Sequence, residues 1–208
     1  MLFRKYMKLA VFLERDGILN LIRVERGHQV QPLTLEEFHL NPEALLPLRQ
    51  LKEAGFVLLA TTCQPGLSRG YQSRRELDQM HALLRRATPL DDIFVCPHDE
   101  TDRCPCRKPK PGLLVEAAFK YHLDLEHSFV VSDKWQDAEA ARNAGCTSVL
   151  IQSAWNGFVH RDFVAPTLAA VATKILEIRS SGYALWADPV LAGRHLVSVE
   201  DDEMEGPP

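Results

Sequence analysis

Three cysteines and one histidine lie within eleven residues in the middle of the chain, spaced as C-x-H-x5-C-x-C. Thiolate sulfur and imidazole nitrogen are preferred ligands of Zn²⁺, and four of them complete a tetrahedral site without room for water. The spacing therefore predicts a structural zinc site in residues 96–106, with the ligands Cys96, His98, Cys104 and Cys106. A loop with free thiols is the alternative, although the odd total of five cysteines argues against a set of disulfides.

Four polar clusters follow one another along the chain and combine carboxylates, hydroxyl groups, amides and fixed positive charges. They are Glu14-Arg15-Asp16-Gly17, Thr61-Thr62-Cys63-Gln64-Pro65-Gly66, Arg107-Lys108-Pro109-Lys110-Pro111-Gly112 and Asp133-Lys134-Trp135-Gln136-Asp137. Carboxylates suit Mg²⁺, which binds one or two of them together with the phosphate oxygens of a substrate. Lysines and helix N-termini suit phosphate. Together the clusters predict a Mg²⁺-assisted phosphate site, whereas each cluster alone is compatible with an ordinary loop or helix cap.

Short apolar runs precede three of the clusters, and helical patterns separate these runs. Strands are predicted at residues 9–13, 56–61, 129–132 and 147–151, and helices at 41–54, 73–86, 111–121, 137–144 and 165–178. This alternation predicts parallel βαβ units and hence a three-layer α/β sandwich. Ligands of such sheets bind beyond the carboxyl ends of the strands, so the clusters are expected to meet at one edge. Residues 21–40 are compatible with a loop or a small hairpin.

The composition is that of an ordinary folded protein and argues against several classes of partner. Of 208 residues, 46% are hydrophobic, and the formal net charge of −4 gives no basic field for nucleic acid or an anionic membrane. No apolar run is long enough to span a bilayer, and the apolar stretch near the N-terminus is shorter than that of a signal peptide. We therefore expect a cytoplasmic monomer that binds neither nucleic acid nor membrane. One domain is expected over residues 1–180, followed by a partly disordered extension over 181–208.

The order ERDG, TTCQPGLSRG, CRKPKPG and SDKWQD resembles the motifs of the haloacid dehalogenase (HAD) superfamily of phosphohydrolases. Within it, the chain is most similar to the capless group that contains heptose bisphosphate phosphatases and histidinol-phosphate phosphatases. The resemblance covers residues 9–178. It implies a parallel Rossmann-like sheet without a large cap domain, and it supports zinc in the cysteine loop. It also implies hydrolysis of a phosphate monoester on a small metabolite, with a heptose bisphosphate favoured over histidinol phosphate.

The same resemblance implies roles for individual residues. Asp16 is expected to be the general acid/base that protonates the leaving oxygen. The residues expected to hold Mg²⁺ are Glu14, Asp16 (through its backbone carbonyl) and Asp133. The residues expected to bind the phosphoryl group or the substrate are Thr62, Arg107, Lys108 and Lys134.

Glu14 departs from the family motif, which has an aspartate that attacks phosphorus at this position. The extra methylene displaces the attacking oxygen by about one bond length, and a misplacement near 1 Å can cost about 10²-fold in rate. Cys63 in place of asparagine and Ser132 in place of glycine are smaller departures. Two hypotheses follow: a weak or retuned phosphatase, or an inactive phosphatase that binds a phosphometabolite. A zinc-stabilised interaction domain that uses the acidic tail over 200–208 is a third.

Overall fold

A six-stranded sheet forms the centre of the computed structural model, which describes residues 7–157 and 161–181. In chain order the strands are β1 (Ala10–Glu14), β2 (Arg23–Glu25), β3 (His28–Val30), β4 (Val57–Cys63), β5 (Asp92–Cys96), β6 (Phe129–Ser132), β7 (Thr147–Ile151) and β8 (Phe163–Ala165). The sheet has the order β5-β4-β1-β6-β7-β8, and every neighbouring pair is parallel. Strand β1 is buried along its whole length because both faces of the sheet are covered, which explains its uninterrupted apolar sequence.

Helices cover both faces of this sheet and make the fold a three-layer α/β sandwich, as predicted. They are α1 (Leu45–Glu53), α2 (Arg74–Ala87), α3 (Gly112–Tyr121), α4 (Trp135–Ala144) and α5 (Leu168–Ser180). Apolar side chains of α1, α2 and α5 pack on one face, and those of α3 and α4 pack on the other. No helix among the described residues is long and apolar enough to cross a membrane.

The two edge strands of the sheet, β5 and β8, are absent from the sequence-based prediction. Strand β8 has only three residues, and β5 begins at the charged Asp92 and ends inside the cysteine loop. Edge strands are packed less completely, so their apolar pattern is weaker. The predicted C-terminal extension lies outside the described residues except for Ser181.

Residues 21–40 contain the hairpin that was one of the two predicted possibilities. Strands β2 and β3 are antiparallel and join through Arg26 and Gly27, which both have positive φ, of 50° and 80°. A two-residue turn of this conformation matches the twist of the strands it connects. The two turn residues therefore favour the hairpin, which lies between β1 and α1 along the chain.

Candidate active site

The carboxyl ends of β1, β4 and β6 meet in the middle of the sheet and carry three of the polar clusters. Glu14, the last residue of β1, is in register with Thr61 of β4, and Asp133 follows β6 on the other side. The chain leaves β1 toward one side of the sheet and later returns to its opposite side. This topological switch point opens the crevice in which ligands of open α/β sheets bind.

Lys108 joins two carboxylates at the base of the crevice. Its Nζ lies 2.5 Å from Glu14 Oε2 and 2.5 Å from Asp137 Oδ1, and it donates a hydrogen bond to the Thr61 carbonyl at 3.0 Å. Burial opposes the charge, but Asp137 and Glu14 outweigh it and raise the pKa of Lys108. The lysine is therefore a fixed buried cation that faces the crevice.

The two carboxylates bound to Lys108 differ in how readily they ionise. Burial alone would raise the pKa of Glu14, yet the charges of Lys108 and Lys134 lower it to about 2. Burial dominates at Asp137 and raises its pKa to about 6 in spite of Lys108. Glu14 is consequently the more acidic carboxylate of the pair. The contact of Asp137 with Lys108 was not predicted, since its position in the first turn of α4 suggested a helix cap.

The oxygens predicted to bind Mg²⁺ do lie together. Asp133 Oδ1 is buried and accepts no hydrogen bond from any described residue, whereas Oδ2 accepts one from Gln29 at 2.6 Å. Lys134 Nζ donates to the Asp16 carbonyl at 2.6 Å and lies 3.9 Å from both Glu14 Oε1 and Asp133 Oδ1. Two carboxylates and a carbonyl around one point are a donor set that suits a hard divalent cation. The residues therefore fit magnesium.

Gly17 allows Asp133 to approach the end of β1. A Cβ atom at this position would lie 3.1 Å from Asp133 Oδ2, and the backbone has a φ of +97°. Both constraints favour glycine. Gly17, which ends the first polar cluster, therefore leaves space for the Asp133 carboxylate of the fourth cluster.

The Asp16 carboxylate is turned away from the crevice and has a set of donors of its own. Arg15 forms an ion pair with it at 2.8 Å, and side-chain amides of Gln31 and Gln64 donate at 3.1 and 2.8 Å. The Thr62 hydroxyl donates at 3.4 Å. Asp16 is 1% exposed. Its backbone carbonyl faces the predicted metal site while its side chain faces the interior.

Arg15 itself is a fully buried cation that the sequence analysis did not single out. Its guanidinium lies 3.2 Å from a ring nitrogen of His81 and 5.5 Å from the centre of the Phe38 ring. Burial, followed by the charge of Arg15, lowers the pKa of His81 to about 3. The histidine is therefore neutral at physiological pH and can accept a hydrogen bond from Arg15.

A cavity of about 380 Å³, called the site cavity below, opens in front of Glu14 and Lys108. Five of the predicted site residues line it: Glu14, Cys104, Arg107, Lys108 and Lys134. Asp16, Thr62 and Asp133 are buried and are not among its lining residues. The Arg107 guanidinium is directed toward the cysteine loop, where it donates to the His98 carbonyl at 3.3 Å and the Glu100 carboxylate at 3.1 Å.

The four predicted zinc ligands converge in the loop between β5 and α3. The Cys96 and Cys104 sulfurs are 3.6 Å apart, those of Cys104 and Cys106 are 3.4 Å apart, and His98 Nδ1 lies 3.3 Å from Cys106 Sγ. A tetrahedron with Zn–S bonds of about 2.3 Å has edges of about 3.8 Å. The cluster therefore has nearly the size of a zinc site.

Two further contacts hold the cysteine loop in place. A Cβ atom at Gly112 would overlap the Pro105 backbone, so this glycine lets the loop lie directly on the start of α3. Cys63 is in register with Cys96 across β4 and β5. The neighbouring Cys96 thiol and burial raise the pKa of Cys63. The sequence could not predict that Cys63 lies next to Cys96, because Cys96 belongs to strand β5, which was not predicted.

Several known proteins and one family model are similar to this chain in sequence. Residues 105–171 match the family model described as HAD-hydrolase-like. The D-glycero-beta-D-manno-heptose-1,7-bisphosphate 7-phosphatase of Pseudomonas aeruginosa is 33% identical over an alignment of 178 residues, and the match covers 80% of this chain and 97% of the relative. The corresponding protein of Bordetella bronchiseptica is 33% identical over 183 residues, 82% of this chain and 99% of the relative.

A solved structure shares the fold over the same extent. The D,D-heptose 1,7-bisphosphate phosphatase of B. bronchiseptica, crystallised with magnesium and phosphate, matches with a TM-score of 0.71 and 32% sequence identity. The match covers 82% of this chain and 99% of that one.

Proposed function

The chain belongs to the HAD-like hydrolase family and is a phosphatase, and we propose that it hydrolyses a phosphate monoester of a sugar bisphosphate, with a heptose bisphosphate as the first candidate. The observation that carries the proposal is the site cavity, whose base is formed by Glu14 and Lys108 and whose rim carries Arg107 and Lys134. The ionised Glu14 carboxylate would face phosphorus there, and the Lys108 ammonium group would face the phosphoryl oxygens. The named relatives act on heptose bisphosphates, which motivates the choice of sugar.

We propose that Glu14 is the nucleophile. Its ionised oxygen attacks phosphorus, the bond from phosphorus to the sugar oxygen breaks, and water then hydrolyses the acyl phosphate. Lys108 holds the Glu14 carboxylate and neutralises the charge on the phosphoryl oxygens, which is the main contribution a protein makes to phosphoryl transfer. Magnesium bound by Glu14, Asp133 and the Asp16 carbonyl would supply further positive charge to these oxygens.

Asp16 is proposed as the acid that protonates the leaving sugar oxygen. This role requires its side chain to leave the ion pair with Arg15 and to enter the site cavity. Gln31, Gln64 and Thr62 would then lose a shared acceptor. An inactive phosphate-binding protein remains the second candidate, and the locked position of Asp16 is the observation that favours it.

We further propose that the cysteine loop binds one structural zinc ion. The size of the four-ligand cluster supports this assignment, as do its position next to Arg107 and Lys108 and its complete set of four sulfur and nitrogen ligands. Such a site would hold the loop that presents Lys108 to phosphate.

The substitution Glu14→Asp tests the role of the nucleophile. It restores the shorter carboxylate of the family motif, and we expect kcat for heptose bisphosphate to rise about tenfold or more, because a displacement near 1 Å costs up to about 10²-fold. Glu14→Gln should abolish turnover. Phosphate release with saturating Mg²⁺ across a panel of phosphosugars is the measurement.

Glu53→Asp, the same change at an exposed position, is the matched control and should leave kcat unchanged. A wild-type protein as fast as Glu14→Asp would contradict the idea that the longer side chain limits the rate. Phosphate binding without turnover in both proteins would instead support the inactive phosphate-binding alternative.

A further inference from the structure

The ammonium group of Lys134 lies among the three oxygens predicted to bind magnesium. It donates a 2.6 Å hydrogen bond to the Asp16 carbonyl and is 3.9 Å from Glu14 Oε1 and from Asp133 Oδ1. The side chain is 19% exposed, and it enters the site from the wall of the site cavity. No other described cation lies within ion-pair distance of Asp133.

We propose that Lys134 is the resident counter-ion of the metal-free site, and that Mg²⁺ binds by displacing its ammonium group into the site cavity, where it contacts phosphate. This inference rests on the proposed function, since it assumes that the three oxygens bind magnesium. It assigns Lys134 two alternative positions, one on the metal ligands and one on the substrate.

Coordination geometry favours the displacement. Magnesium binds oxygen at about 2.1 Å in a nearly ideal octahedron, so an ion at the centre of the three oxygens would take the place of the ammonium group, which lies 2.6 Å from the Asp16 carbonyl. Two cations this close also repel strongly in a site of low dielectric. Lysine suits the exchange, because its ammonium is a compact charge on a flexible four-carbon stem.

The charges around the site determine what the displaced lysine can do. In the metal-free site, the carboxylates of Glu14, Asp133 and Asp137 face the ammonium groups of Lys108 and Lys134, which leaves one negative charge in excess. This excess repels phosphate. Arrival of a divalent cation reverses the sign, and the freed Lys134 becomes a donor that no longer has a carbonyl partner. Phosphate is an anion that the positive site would attract and that can accept a hydrogen bond from the freed Lys134.

Metal and phosphate binding should therefore be coupled in both directions. Each ligand raises the affinity of the other by the same factor, as thermodynamic linkage demands. Lys134 has opposite effects on the two ligands: it competes with magnesium and assists phosphate. A residue with a merely structural role would weaken both when removed, so the opposite signs are diagnostic.

Calorimetric titration of the purified full-length protein with MgCl₂, and with inorganic phosphate at saturating Mg²⁺, tests the inference. Lys134→Met should bind Mg²⁺ about tenfold more tightly than wild type and phosphate about tenfold more weakly. Lys134→Gln, which keeps a polar side chain, should shift both affinities in the same directions. Thermal unfolding of each variant confirms that it is folded.

Lys110→Met is the matched control, because Lys110 also lines the site cavity but donates to the carbonyls of Arg103 and Cys104. It should change the Mg²⁺ affinity by less than about threefold. Unchanged or weaker Mg²⁺ binding by Lys134→Met would overturn the inference and leave the proposed metal site standing. Absence of Mg²⁺ binding by wild type and all variants would overturn both.

Discussion

At the scale of single residues, two lysines determine the charge of the site. Lys108 bridges Glu14 and Asp137, and Lys134 lies between Glu14, Asp133 and the Asp16 carbonyl. Both ammonium groups favour the ionised form of Glu14, and they lower its pKa to about 2 although the side chain is buried. A glutamate at this position therefore keeps the charge that the chemistry needs, and only the position of its oxygens differs from that of an aspartate.

The low pKa of Glu14 predicts a pH-dependent contribution to stability. The pKa is about 2 in the folded protein and 4.5 without the fold, so the carboxylate stabilises the folded state above pH 4.5 and loses this effect as the pH falls toward 2. The shift corresponds to about 3 kcal/mol. We expect urea unfolding without added magnesium to show a large loss of stability for Glu14→Gln at pH 6 and a much smaller loss at pH 3.

Glu53→Gln serves as the reference for this prediction, because Glu53 is exposed and has no ion pair among the described residues. Its effect on the free energy of unfolding should be small at every pH. A loss for Glu14→Gln that is equal at pH 3 and pH 6 would contradict the assigned pKa.

The sequence predicted that Glu14, Lys108, Asp133 and Lys134 would meet, because each lies beside a strand end or a helix start. It could not predict which way the Asp16 side chain points, since that depends on a buried arginine and on amides from two separate segments. The contact of Gln29 with Asp133 could not be predicted from the sequence either. Its partner, Asp133, lies 104 residues further along the chain, and a glutamine in a hairpin carries no distinguishing pattern.

At the scale of elements, the cysteine loop connects the edge strand β5 to α3 and carries Lys108 into the site. Cys96 ends β5, and Gly112 lets the loop lie on the first turn of α3. The zinc ligands and α3 were predicted from spacing and capping, whereas β5 was not. The strand is what brings Cys96 opposite Cys63, and so connects the proposed zinc site to the second polar cluster.

Removal of zinc should lower stability and phosphate binding together, because Lys108 follows Cys106 by two residues. We expect one zinc per chain by elemental analysis of the purified protein. Chelation, or the substitution Cys104→Ser, should lower the melting temperature by about 10 °C or more and weaken phosphate binding at least tenfold. The expectation rests on zinc ordering the loop, as structural zinc sites do.

Cys146→Ala is the control for the cysteine substitutions. Cys146 is buried in the core beside α4 and is remote in sequence from the zinc loop. Its replacement should cost some stability but leave the zinc content at one per chain. Purified wild-type protein without stoichiometric zinc would show that the four ligands form no metal site.

At the scale of the whole molecule, the described residues form a six-stranded sheet with a helical layer on each face. Helix α5 packs its buried face on β7, β8 and α1, and Ile178 is the last of its fully buried residues. One domain that ends near residue 180 stays a prediction, and α5 is the last packed element that the structure describes.

Truncation after Ser181 tests this domain boundary. We expect the shortened chain to melt within about 3 °C of the full-length protein, since a change of 1 kcal/mol shifts the melting temperature by about 2–4 °C at this size. Its kcat and Mg²⁺ affinity should be unchanged. A loss of more than about 10 °C would mean that the C-terminal segment contributes to the folded core.

The contacts of the β2–β3 hairpin affect which residues near the site can change during evolution. Gln29 and Gln31 are two residues apart along the extended chain, so both amides point to the same side and reach Asp133 and Asp16, respectively. The strand opposite them, Arg23–Glu25, is exposed throughout. Mutations can accumulate on the exposed strand without removing either amide contact, whereas a substitution of Gln29 or Gln31 removes a donor from a site carboxylate. The two strands of one short hairpin can therefore evolve at separate rates.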